Sequence, residues 1–206
     1  MRSAKSSRHL EKSPLTDLLQ VSHSHIQSSC QSATRNQAQK PMPKPPSPKV
    51  LTLPQAARWA ARVRRRGKKL VATNGCFDLL HSGHVSYLQR AKNLGDLLVV
   101  GLNGDKSVRL LKGHGRPLVP QQQRAKILAA LACVDAVVIF PERRAHRFLG
   151  TVQPDIYVKG GDYRPETLDA RERAVLTAIG SKVHILPFVK GFSTTRLIAK
   201  IRKAGC

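Results

Sequence analysis

Aromatic side chains make up only 4% of the 206 residues: one Trp, three Tyr and five Phe. A core must therefore be assembled from Ala, Val, Leu and Ile, and nucleic-acid recognition through rows of stacked rings has little to build on. Acids are scarce too, 12 Asp and Glu against 36 Lys and Arg, for a net charge of +24. Such a balance favours polyanionic ligands without choosing among nucleic acid, acidic membrane surfaces and phosphorylated metabolites. The four cysteines, Cys30, Cys76, Cys133 and Cys206, lie far apart with no C-x-x-C spacing. Neither a disulfide framework nor a thiolate zinc site is expected, and a reducing, cytoplasmic location fits. No apolar run approaches the roughly 20 residues that span a bilayer, and the N-terminus has no apolar secretory core, so no membrane role is expected. Neither G-x-G-x-x-G nor G-x-x-x-x-G-K-[ST] occurs, which argues against a dinucleotide dehydrogenase and a P-loop ATPase.

Residues 1–49 hold no aromatic residue, ten serines and six of the 13 prolines. That composition cannot bury enough apolar surface to offset chain entropy, so a disordered N-terminal extension is expected, with the folded domain over 50–206. The tract 40–49 reads as a semi-rigid polyproline linker. Serines, arginines and only two acids, Glu11 and Asp17, give the segment a superficial likeness to an organelle transit peptide. The blander expectation is a translation start at Met42, the only other methionine, which makes the first 41 residues an extension without function. With eight basic and two acidic side chains in the extension, most of the positive charge belongs to the domain.

From residue 54 onward helical and strand patterns alternate with short joins. Helices are expected over 54–67, 82–94, 121–133, 143–152, 165–179 and 194–204, and strands over 69–73, 96–102, 135–140, 155–159 and 182–186. Five strands separated by helices imply right-handed crossovers and an α/β, Rossmann-like, doubly wound five-stranded parallel sheet. Ligands of such sheets bind at the carboxyl ends of the strands, where strand order reverses.

The first strand of the sheet runs into Thr73-Asn-Gly-Cys-Phe-Asp-Leu-Leu-His-Ser-Gly-His84 and then directly into a helix. Free N–H groups and the positive end of the helix dipole favour an anion there. Gly75 lets backbone approach a ligand, and Gly83 leaves room between His81 and His84, which are three apart and share one face of the opening turn. Two donors on one face suit a phosphate whose charge grows during displacement. The competing reading is a pair of capping or packing histidines. A metal pair would need a third ligand, which no spaced Asp, Glu or Cys supplies, so no metal site is expected.

The H-x-G-H loop resembles the signature of the nucleotidylyltransferase superfamily, and Thr73–Asp78 with His81–His84 resembles its cytidylyltransferase-like branch. Three further segments, 103–113 with Arg116-Pro117, Val158-Lys-Gly-Gly-Asp-Tyr163 and Gly191-Phe-Ser-Thr-Thr195, are similar to the bacterial D-glycero-β-D-manno-heptose 1-phosphate adenylyltransferases. The resemblance covers 54–204. Those enzymes occur alone or joined to a sugar kinase, and no kinase half is expected in this chain. Phe192 stands where the branch commonly has Ile, a change of packing more than of chemistry.

The resemblance implies an enzyme that moves AMP from ATP to the sugar 1-phosphate with Mg²⁺ bridging phosphate oxygens, acting as a homodimer. His81, His84 and Lys112 would be catalytic. Asn74, Gly75, Cys76, Phe77, Gly83, Arg124, Gly160, Gly161, Asp162, Ser193, Thr194 and Thr195 would bind nucleotide and phosphate. Asp78, Asn103 and Arg116 would hold the acceptor.

Each residue also has a plainer reading. Lys112, expected in a Gly-flanked loop, is otherwise a solvated lysine. Arg124 either contacts phosphate or covers the surface. Gly160 and Gly161 expose backbone at the ligand edge or simply end a strand in a tight turn. Ser193 is a helix N-cap in any reading, and its helix a second anion site. Asp78 binds the acceptor or caps its own loop. His114, His146 and His184 are expected to pack or face solvent. Two rival functions remain at this point: a cytidylyltransferase acting on glycerol 3-phosphate or another small ester, and a basic nucleic-acid-binding protein whose face is formed by 58–69. Specific nucleic-acid binding is not expected.

Overall fold

The computed structural model describes residues 49–161, 167–187, 191 and 193–205. Residues 1–48, which carry most of the expected extension, and Asp162, Tyr163, Pro165 and Phe192 lie outside the described residues, as do Cys30 and Cys206.

The chain enters through β1 (Val50–Leu51) and α1 (Leu53–Arg65), and the central strand β2 (Leu70–Gly75) leads to α2 (Ser82–Lys92). Next come β3 (Leu97–Asn103), α3 (Asp105–Lys112), α4 (Gln121–Ala130), β4 (Ala136–Phe140) and α5 (His146–Val152). The last elements are β5 (Ile156–Gly160), α6 (Ala170–Ala178), β6 (Lys182–Leu186) and α7 (Thr194–Ala204). All strand pairs are parallel, in the order β1-β4-β3-β2-β5-β6. The chain moves outward from β2 to β3 and β4, then returns to the other side of β2 with β5 and β6. Strand order thus reverses between β2 and β5, and the crevice of a doubly wound sheet opens at their carboxyl ends.

Alternation along the strands fills two cores, as the two-residue period of a strand requires. Ala72, Val99, Val138, Phe140 and Tyr157 face α1, α5 and α6. Val71, Leu98, Val100, Leu102, Val137 and Val158 face α2 and α4. Gly101 is needed for room: a Cβ there would stand 2.7 Å from the ring of Phe148. At the opposite, amino-terminal edge the few acids are put to structural use. Asp96, Asp135 and Asp155 each precede a strand and accept the backbone N–H of Lys69, Leu98 and Leu70 respectively, all at 2.7 Å.

The sheet has six strands, not the expected five. The additional β1 is two residues long, too short to show a period, and is pinned by its neighbours: Val137 N–H donates to the Lys49 carbonyl at 2.8 Å. Lys49 Nζ in turn donates to the carbonyls of Val134 and Leu131 at 2.7 and 3.2 Å. Lys49, expected in the extension, thus belongs to the fold. The segment expected as a loop before Gly113 is instead the eight-residue helix α3, which buries Ser107 and Val108. β2 continues two residues beyond Thr73, so Asn74 and Gly75 are strand residues paired with Gly101 and Leu102. Helices α2 and α4 stop short of the expected 94 and 133, α4 because Leu131 adopts extended backbone at ψ 132, while α5 starts at His146 and α6 at Ala170, later than the expected 143 and 165.

Candidate active site

The segment from Thr73 to His84 crosses the crevice between β2 and α2. Thr73 anchors it from below: its hydroxyl is 2.7 Å from that of Tyr87, which donates to the Val158 carbonyl at 3.0 Å and so ties α2 to β5. Burial pushes the Tyr87 phenol up. Phe77 turns the chain at φ 42, a left-handed conformation costly for a bulky residue, and is buried. Its ring meets that of His84 edge-on with centroids 5.3 Å apart. Beyond it His81 stands at the N-cap position of α2 without a side-chain capping bond. The rings of His81 and His84 stack with centroids 3.9 Å apart and an interplanar angle of 22°. Burial lowers the pKa of both imidazoles. For His84, burial and then the neighbouring His81 bring it to about 4. His84 Nδ1 is buried without a hydrogen-bond partner.

The histidines are thus brought together on one face, as their spacing implies, and they do not serve as side-chain caps. Gly83 lies between them in the first turn. Ser193 caps α7 by accepting from Arg196 N–H at 3.1 Å, and Thr194 Oγ1 lies 3.5 Å from the Leu79 carbonyl, so the start of α7 adjoins the histidine loop. Thr195 follows in the first turn of α7. Gly160 ends β5, and Gly161 takes φ 101 and donates its N–H to the Leu186 carbonyl at 2.9 Å. That bond extends the pairing of β5 with β6 by one residue at the crevice end of the strand.

Other expected residues are placed differently. Arg124 neither covers the surface nor points freely into the crevice: it is 1% exposed and its guanidinium donates to the carbonyls of Val119 and Cys76 and to the Asp105 carboxylate. It clamps α4, α3 and the histidine loop together. Asp78 is also buried and pairs with Arg116 while accepting the backbone N–H groups of Leu118 and Val119. Burial raises its pKa, but those hydrogen bonds and the guanidinium outweigh burial and hold the carboxyl below the usual carboxylate range. Two of the three residues expected to hold the acceptor, Asp78 and Arg116, are thereby bonded to each other. Asn103, the third, is buried and donates to Ser107 Oγ at 2.9 Å. Lys112 is exposed at the last turn of α3, a position where a cation also favours the helix dipole. Its charge still acts on Cys76, whose thiol is pushed up by burial and down, to a lesser extent, by Lys112, Arg124 and Arg116.

Asn74, expected to bind nucleotide, is held by three residues that the sequence did not single out: Tyr157, Lys159 and Glu172. Asn74 Oδ1 accepts from Tyr157 Oη at 2.6 Å and from Lys159 Nζ at 2.9 Å. Glu172, on α6, lies 3.7 Å from the same ammonium and 3.5 Å from the same hydroxyl, and accepts Ala145 N–H at 2.7 Å. Glu172 falls on the buried stripe of α6 with Leu176, and a carboxylate on an apolar stripe was the signal available. Burial pushes the Lys159 ammonium down, with Glu172 opposing it. Among the described residues no three His, Cys, Asp or Glu side chains gather as a metal cage.

Residues 72–200 match the family model described as cytidylyltransferase-like. The chain belongs to the cytidylyltransferase-like family. The matched span runs from β2 through most of α7 and includes the histidine loop, Lys159 and the capped start of α7. Over 154 residues the chain is 54% identical to the bifunctional protein HldE of Geotalea uraniireducens, covering 75% of this chain and 31% of that one. Over 153 residues it is 55% identical to HldE of Citrifermentans bemidjiense, covering 74% and 31%. The chain thus spans about a third of the length of these curated relatives. Among solved structures, the lipopolysaccharide core biosynthesis protein from Thermoplasma volcanium aligns with a TM-score of 0.51 at 30% identity. The alignment covers 61% of this chain and all of that one. No helix among the described residues is long and apolar enough to cross a membrane.

Proposed function

We propose that this chain transfers the adenylyl group of Mg²⁺-bound ATP to D-glycero-β-D-manno-heptose 1-phosphate, giving ADP-heptose and pyrophosphate for lipopolysaccharide core synthesis. The observation that carries the reading is the stacked His81–His84 pair at the start of α2, beside the point where strand order reverses. Identity of 54–55% to the HldE proteins supports the choice of reaction, as do the segments around Lys112, Lys159 and Ser193.

In this reaction an oxygen of the sugar phosphate attacks the α-phosphorus of ATP, the bond from that phosphorus to the bridging oxygen breaks, and pyrophosphate leaves with the electron pair. The acceptor oxygen is already anionic at neutral pH, so no strong general base is required. The chain's work is orientation and stabilisation of charge on the phosphate oxygens. His81 and His84 are held neutral by burial in the free protein, with the unpartnered Nδ1 of His84 as a spare polar atom. An arriving polyphosphate reverses that balance, because an anion favours the protonated, donating form. Lys112 and the N–H groups at the start of α7 face the departing pyrophosphate. Arg124, Asp78 and Arg116 act one step back, fixing the loops that carry these groups. Mg²⁺ arriving with ATP would supply charge neutralisation on the phosphate oxygens.

The proposal includes a cytoplasmic homodimer, for which the exposed Leu110, Leu118 and Ile127 offer apolar surface. Pyrophosphate release, measured for a panel of sugar phosphates with ATP and with CTP, tests the reading. Turnover is expected with ATP and the heptose 1-phosphate, and preference for CTP with glycerol 3-phosphate overturns it.

A further inference from the structure

We propose that Lys159 is a positioning residue for the transfer reaction: held by Glu172, it fixes the Asn74 side-chain amide at the carboxyl end of β2. The inference rests on the reading above. Asn74 and Lys159 lie on the two strands that flank the reversal of strand order, one residue beyond the Thr73–Val158 pair in the register. Tyr157 and Lys159 both reach Glu172 of α6, and Asn74 joins them on that face of the sheet through the bonds to its Oδ1. Two donors, the Tyr157 hydroxyl and the Lys159 ammonium, converge on the single acceptor Asn74 Oδ1. An amide held by its oxygen in this way has its NH₂ group turned away from the cluster, and its rotation is no longer free.

The cluster is expensive for a fold that needs only packing. A lysine with a side chain 12% exposed and a glutamate 5% exposed must each give up hydration, and an apolar pair of similar volume would serve stability as well. The arrangement spends two buried charges on one amide at the ligand-binding edge. That expense makes sense if the orientation of Asn74 is what matters. The lysine also neutralises Glu172, which in turn holds the backbone of Ala145 at the start of α5, so the same ammonium ties the ends of β2 and β5 to the helix layer.

The test separates positioning from folding. Lys159→Met alone leaves Glu172 unpaired and is expected to lower Tm. Lys159→Met combined with Glu172→Gln removes both charges, keeps an acceptor for Ala145 N–H, and is expected to restore Tm to within a few degrees of wild type. In this double variant kcat is expected to remain roughly 10- to 100-fold low, the scale of a misplaced reacting group. Adding Asn74→Ala to the double variant should then lower kcat no further than Asn74→Ala does alone, because all three residues act through one amide. A folded double variant with wild-type kcat overturns the inference, and so does a full multiplicative loss on adding Asn74→Ala. In both of those cases the wild-type protein still transfers AMP, so the reaction stands and only the role of Lys159 falls. A wild-type protein that transfers no nucleotide overturns both.

Discussion

His84 shows how a single residue's environment becomes a pH dependence. Its imidazole titrates near 4 in the folded protein against about 6.5 when unfolded. Between those values the unfolded chain binds the extra proton and the folded one does not, so stability falls as pH drops through that window. His81, lowered by burial, acts in the same direction. Asp78 has the opposite chemistry: its depressed carboxyl stabilises the fold above its unfolded value of 3.8, and that contribution is lost as pH falls further. Thermal unfolding followed from pH 7 to 4 is therefore expected to show a Tm that declines before carboxylates titrate, with a shallower decline in His84→Asn. Equal slopes for the two proteins would contradict the burial of His84. The pairing of the histidines was legible from their spacing, but their neutrality was not, because it arises chiefly from burial, which only the folded loop provides.

At the scale of elements, long apolar strands and Gly-bounded helices announced themselves, which is why β3, β6 and α7 were found nearly to the residue. β1 and α3 were not, and for different reasons. β1 is two residues held by Lys49 and β4, a tertiary arrangement without local pattern. α3 shows only two buried side chains, and its Gly104 and Gly113 flanks read equally well as a loop. The fate of Asp78, Arg116 and Arg124 was hidden similarly. Their types suit a phosphate or an acceptor, but only the approach of 116–119 to the histidine loop reveals that Asp78 pairs with Arg116 and that Arg124 bonds Asp105 and backbone carbonyls. Gly101 supplies an element-level test. Gly101→Val must push Phe148 out of the core between β3 and α5, since even a Cβ would sit 2.7 Å from its ring. A loss of about 1–3 kcal/mol is expected from overpacking, read as a lower denaturant midpoint at unchanged m. An unchanged midpoint would contradict the packing.

For the whole molecule, charge and composition set the expectations. Residues 1–48 carry no aromatic residue and many prolines and serines, so deleting them is expected to leave turnover and Tm unchanged, provided that Lys49 remains to bind the Val134 and Leu131 carbonyls. A several-fold fall in kcat of the shortened chain would show that the segment takes part in the reaction. The surplus of 36 basic over 12 acidic residues is consistent with polyphosphate substrates. The same surplus also suited a nucleic-acid-binding protein, and composition could not decide between them. The deciding information lay in a dozen residues around β2 and α2, where strand end, strained turn, stacked imidazoles and helix start coincide.

The central claim is that the histidine pair stabilises charge developing at the transferred phosphate, and kinetics and thermal unfolding of His84→Ala measured on one sample test it most directly. The expected result is a kcat lower by roughly two to three orders of magnitude, the usual cost of losing one preorganised donor, with ATP affinity and Tm changed far less. A variant that is destabilised yet turns over at the wild-type rate in its folded fraction would contradict the account.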